Sequence, residues 1–123
     1  MTRTMGWIGA GLVVALAGCA PQEIPEDRFA DQGAQLYCQR TRECALGDFK
    51  ASYYGMADCR EHVARDLEEL VEFADDIDCD YDPDGAARAW NNLAEMSCEN
   101  FYEGGFFEDF DKIWDDCVLN FYF

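Results

Sequence analysis

Apolar residues recur at three- and four-residue steps along four stretches of the chain, and this spacing predicts four helices. The first runs from about Glu26 to Cys44, with Phe29, Leu36 and Tyr37 on one side. Glu26 and Asp27 suit its positive N-terminal end, while Gly33 weakens its middle. Gly47 and Asp48 open a connection that contains the pair Tyr53-Tyr54. The second helix has the clearest pattern: Cys59, Val63, Leu67, Leu70, Val71, Ala74 and Ile77 face one way, and Glu61, Glu68, Glu72 and Asp75 face the other. Asp58-Cys59-Arg60-Glu61 at its start resembles a capping box. Asp82-Pro83 opens a third helix as N-cap and first turn, with Ala86, Trp90, Leu93 and Ala94 as its buried stripe. Gly104-Gly105 breaks the chain before a fourth, on which Phe107, Phe110, Trp114, Cys117 and Val118 share one side. No segment alternates with a two-residue period, so strands are not expected.

Short connections imply antiparallel neighbours, and the expected fold is all-α, a small antiparallel bundle of about four helices. Six cysteines fall within it: Cys38, Cys44, Cys59, Cys79, Cys98 and Cys117. An even set in a small exported chain reads as three disulfides, each worth ~2–4 kcal/mol to a thin core. Placing the helices up-down-up-down groups Cys44, Cys59 and Cys98 at one end, and Cys79 and Cys117 at the other. That grouping favours Cys44–Cys59 and Cys79–Cys117, leaving Cys38–Cys98, among the many pairings six cysteines allow. Zinc is disfavoured: no Cys-x-x-Cys occurs, and Cys59-x-x-His62 has no matching half.

The seventh cysteine, Cys19, stands apart. Arg3 supplies a positive start, Met5 to Ala17 an apolar core, and Ala17-Gly18 the small side chains a signal peptidase needs. The apolar run of about 16 residues falls short of the ~20 that span a bilayer. Leu16-Ala17-Gly18-Cys19 resembles the lipobox of bacterial lipoproteins. The resemblance implies cleavage before Cys19, acylation of its thiol (the palmitate-type anchor of that family) and, with Ala20 next, sorting to the outer membrane on its periplasmic or outer face. The expected organisation is therefore a signal peptide over 1–18, a lipidated tether over 19–25 and a disulfide-rich helical domain over 26–123. The spacing Tyr37-Cys38, Cys44, Asp58-Cys59, Cys79-Asp80-Tyr81-Asp82-Pro83 and Ser97-Cys98 is similar to that of short cysteine-rich lipoproteins of myxobacterial-type genomes. That family implies the same fold and address and no activity.

Charge narrows the partners. The chain holds 26 acids and 9 bases, and its formal net charge is −17. Arg3 is the one charged residue before Cys19, so the exported part is more acidic still, at −18. Such a surface repels nucleic acid and favours basic partners; with Lys50 and Lys112 the only lysines, no basic patch exists to track a phosphate backbone.

Three constellations could carry chemistry. Asp80, Asp82 and Asp84 with Gly85 read as the first half of an EF-hand calcium loop, but Arg88 and Asn91 occupy its ninth and twelfth positions. Helix capping explains Asp82 and Pro83 without an ion, so no cofactor is expected. His62, the single histidine, has Asp58 and Asp66 one turn away on either side, yet no activated nucleophile beside it. The aromatics of the last quarter exceed one core stripe, and Phe121, Tyr122 and Phe123 are candidates for docking on a partner. The resulting expectation is a non-catalytic, lipid-anchored envelope protein acting by binding or structurally. Its partners would be the membrane, through the anchor, and a basic envelope or secreted protein. An inhibitor or immunity-type protein for a basic secreted enzyme is the first alternative, and a hydrolase with an unrecognised site the second.

Overall fold

Pro25 sets the entry to the first helix with φ of −59°, and Glu26 and Asp27 occupy its first turn. The computed structural model describes residues 22–115, so Cys19, Cys117 and Phe121 to Phe123 lie outside the described residues. Helix α1 (Glu26–Cys44) buries Phe29, Ala30, Gly33, Ala34, Cys38 and Thr41. The small members of this stripe, Ala30, Gly33 and Ala34, let other helices approach closely. A Cβ at Gly33 would lie 2.3 Å from Trp90 Cζ2 and 2.9 Å from Leu67 Cδ1. The glycine that weakens the helix as sequence is thus the notch on which the bundle closes. Gly33→Ala is expected to lower the thermal midpoint: alanine gains ~1 kcal/mol in helix propensity, but overpacking costs ~1–3 kcal/mol. A midpoint equal to or above that of the parent protein would contradict the close packing.

The stretch expected as a connection instead contains a second helix, α2 (Leu46–Ser52). Seven residues hold a helix poorly on their own. Here Phe49, 5% exposed, anchors them in a satellite cluster with Cys38 and Cys59. Helix α3 (Met56–Asp76) begins after Gly55, two residues before the expected cap. The expected capping box is therefore not formed: Gly55 is the N-cap with no side-chain cap, and Asp58 lies inside the helix, its carboxylate accepting the N–H of Tyr54, just before the helix, at 3.0 Å. Asp78, at φ 61°, ends α3 where glycine is more usual. The Asp78 and Cys79 N–H groups return to Asp75 O and Ala74 O at 3.1 and 2.9 Å, a Schellman closure. Ile77, expected in the core, is 42% exposed.

Strand β1 (Asp80–Tyr81) then pairs antiparallel with β2 (Trp114–Asp115), Asp80 opposite Asp115 and Tyr81 opposite Trp114. Two residues are too few to show an alternation, which is why no strand was expected. Helix α4 (Pro83–Glu95) starts as anticipated, the Asp82 side chain accepting the Asp84 N–H at 3.0 Å with Pro83 in the first turn. Ala86, Trp90 and Leu93 are buried, but Ala94 is exposed. The helix stops at Glu95, and Ser97 caps a separate short helix, α5 (Cys98–Tyr102), accepting the Asn100 N–H at 3.1 Å. Gly104, at φ 78°, turns the chain into a 3₁₀ helix over Gly105–Lys112. The long fourth α-helix expected here is therefore replaced by tighter winding, and Trp114 sits on β2.

The architecture is a small all-α bundle in which α1 packs along α3 and α4, with a two-residue ladder closing one end. Its centre is aromatic: Phe29 stacks on Trp90 at 4.8 Å and meets Trp114 edge-on at 5.4 Å, and Phe110 meets Trp90 edge-on at 5.8 Å. Ile24, assigned to the tether by sequence, is fully buried; its N–H donates to Pro83 O at 3.1 Å and its carbonyl accepts the Tyr81 hydroxyl at 2.7 Å. The folded unit therefore begins by Ile24.

The disulfides correct the expected connectivity. Cys38 bonds Cys59 and Cys44 bonds Cys98, in place of Cys44–Cys59 and Cys38–Cys98. Helix α2 is the cause. By occupying the link, it lets α3 start alongside Cys38 rather than at the end of α1, roughly 9 Å away at 1.5 Å per residue. The end of α1 is then left to meet the start of α5. Cys79 is also disulfide-bonded, and its expected partner Cys117 lies outside the described residues.

Candidate functional site

Where the C-terminal half of α1 faces the α2–α3 corner and the 3₁₀ helix, the side chains do not close completely. A cavity of about 220 Å³ opens there, walled by Tyr37, Val63, Leu67, Trp90, Phe106 and Phe110. A second, of about 260 Å³, continues toward Thr41, Asp48, Ser52 and Phe101. Tyr37, Tyr53, Phe106 and Phe107 line both, so the two form adjoining compartments of one cleft.

The wall residues pack against one another and against the core. Tyr37 packs against Phe101 and Phe106 at 5.8 and 5.5 Å, and those two phenylalanines stack on each other at 5.6 Å. Phe107 lies 4.1 Å from Phe106, and Tyr53 lies 5.7 Å from the buried Phe49. Tyr53 joins the cleft because α2 ends at Ser52 and the chain turns extended there, while its neighbour Tyr54 points wholly into solvent.

Among the described residues, carboxylates are the only charged groups on the lining. Asp66 sits in the first compartment and Asp48 in the second; among the described residues no lysine, arginine or histidine lines either. The field is felt by Tyr53, whose hydroxyl is pushed above its ordinary value by burial first, then by Tyr37, Asp66 and Asp58. It remains a neutral hydrogen-bonding group at physiological pH.

The other candidates are placed elsewhere. In the acidic loop, Pro83 to Gly85 form the first turn of α4 rather than a metal-binding turn, and the Asp82 carboxylate caps that helix with Arg88 at 3.8 Å. Gly85 is needed for packing, since a Cβ there would lie 2.0 Å from the Lys112 carbonyl oxygen. Among the described residues, no group of three or more His, Cys, Asp or Glu side chains is placed to hold a metal. His62 Nδ1 lies 2.9 Å from the Asp58 carbonyl oxygen and 3.2 Å from its carboxylate, with the ring 6.1 Å from Tyr53. Asp66 turns out to serve the cleft. Of the crowded C-terminal aromatics, Phe101, Phe106, Phe110 and Trp114 are buried and Tyr102 is 62% exposed.

The sequence held one trace of the cleft, the pair Tyr53-Tyr54 in a connection. It could not show that Tyr37 of α1 and Phe106 and Phe107 of the 3₁₀ helix would meet Tyr53. Comparison with protein-family models, curated proteins and solved structures finds no match to this chain.

Proposed function

We propose that the protein is a non-catalytic binding module of the bacterial cell envelope, anchored by lipid on Cys19 at the outer membrane and presenting the aromatic cleft to its ligand. The two-compartment cleft carries the reading. A concave, mostly apolar site with a few polar groups is the usual form of a ligand site, and this one interrupts a core otherwise filled by aromatic packing. The disulfides support an oxidising compartment, and the lipobox-like Leu16-Ala17-Gly18-Cys19 supports the anchor. Among the described residues no helix is long and apolar enough to cross a membrane. A single acyl chain binds only marginally, and stable anchoring requires at least two.

Two measurements test this. Cys19→Ser is expected to abolish labelling by a fatty-acid analogue and leave uncleaved precursor; labelling that survives removes the anchor. Titration of the soluble domain with 1-butanol, followed by NMR, should shift signals clustered at Tyr37, Tyr53, Val63 and Leu67. Shifts absent or scattered elsewhere remove the cleft.

A further inference from the structure

We infer that the cleft takes cationic side chains with apolar stems, lysine or arginine, presented by a basic partner protein. The inference rests on the cleft being the ligand site and assigns the chemistry of its occupant. Aromatic residues line each compartment, and among the described residues each carries one carboxylate and no lysine, arginine or histidine: Asp66 in one, Asp48 in the other. An alkyl stem would lie along Tyr37, Phe106 and Phe107, and a cation gains from both ring faces and a carboxylate. An anionic ligand would meet repulsion from Asp66 and Asp48 with no cationic side chain among the described lining residues to offset it.

The choice of a protein over a free amine follows from the distribution of charge. The net charge of −17 comes from acids spread between Glu23 and Asp116. Charges more than a Debye length of ~8 Å from the cleft do little for a small monovalent cation. A basic macromolecule spans many of them and is steered by them. Two adjoining compartments with a carboxylate apiece suit an occupant that delivers more than one cation from one backbone.

NMR titration of the folded, disulfide-intact domain with n-butylammonium, N-propylguanidinium, 1-butanol and butyrate tests the chemistry. Both cations should shift the cleft signals and bind at least about fivefold tighter than butanol, with butyrate weakest. Asp66→Asn should erase the advantage of the cations at the signals of the first compartment, Val63 and Leu67, and leave butanol binding there unchanged. Asp66 and Asp48 are both exposed on their helices, and far-UV circular dichroism with a thermal melt verifies that the variants fold. Butanol binding as tightly as the cations overturns the inference and leaves the cleft reading standing; no shift from any of the four probes overturns both. An acetylated, amidated tetralysine then separates protein from free amine. It should bind at least about tenfold tighter than butylammonium, and Asp48→Asn should weaken the peptide while leaving butylammonium at the first-compartment signals of Val63 and Leu67 unchanged. A peptide no tighter than butylammonium overturns the assignment to a basic protein and points to a small amine.

Discussion

Trp90→Ala is expected to cost about 3–5 kcal/mol of unfolding free energy, the range for truncating a large buried aromatic. The indole is 2% exposed, stacks on Phe29 at 4.8 Å and meets Phe110 at 5.8 Å. Its six-membered ring fills the notch left by Gly33. The cost should lie at the upper end, because the site cannot collapse. One wall is α1, tied to α3 by Cys38–Cys59, and another is the cavity of about 220 Å³, into which the new void would open. A small domain has ~5–15 kcal/mol in total, so this single change removes a large share of it. Urea unfolding followed by circular dichroism measures the loss; a cost below about 1 kcal/mol would show that Trp90 is not the keystone of the core.

Removing the buried disulfide should come next in size. Cys38 and Cys59 are both fully buried, with 21 residues of sequence separation between them. Loop entropy alone gives about 3 kcal/mol for a loop of that length, and Cys38→Ala with Cys59→Ala also leaves a void beside Phe49. The Cys44–Cys98 bond closes a longer loop, with a separation of 54, but Cys98 is exposed and Cys44 only half-buried. Graded reduction of the folded protein should therefore expose Cys44 and Cys98 to alkylation before Cys38 and Cys59. Peptide mapping reads both the order and the pairing. Recovery of Cys44–Cys59 or Cys38–Cys98 in the native protein would contradict the placement of α2. The same map should join Cys79 to Cys117 if the remaining expected bond forms.

The elements legible in the sequence were those with a long periodic stripe or a local capping signal. Both ends of α1, the body of α3 and the Asp82-Pro83 start of α4 follow from the order of residues, because helix propensity and capping act within one or two turns. Harder to read were elements whose stability comes from distant contacts. Helix α2 depends on Phe49 reaching the Cys38–Cys59 cluster, and the two-residue strands depend on a partner more than thirty positions away. The cleft belongs to the same class. Its four shared residues come from α1, the end of α2 and the 3₁₀ helix, and no local pattern links them.

The sequence by itself determined the all-α class, the even set of cysteines after Cys19 and the acidic charge, since each rests on composition or on neighbours along the chain. Tertiary structure alone decided which cysteines pair. The shift is only six residues, from Cys44 to Cys38 opposite Cys59, but it depends on α2 consuming the link as helix, and burial of Phe49 sets that. Tertiary structure also decided that Gly33 is a contact rather than a weakness. A missing side chain is unfavourable in an isolated helix and favourable where an indole ring must enter the gap.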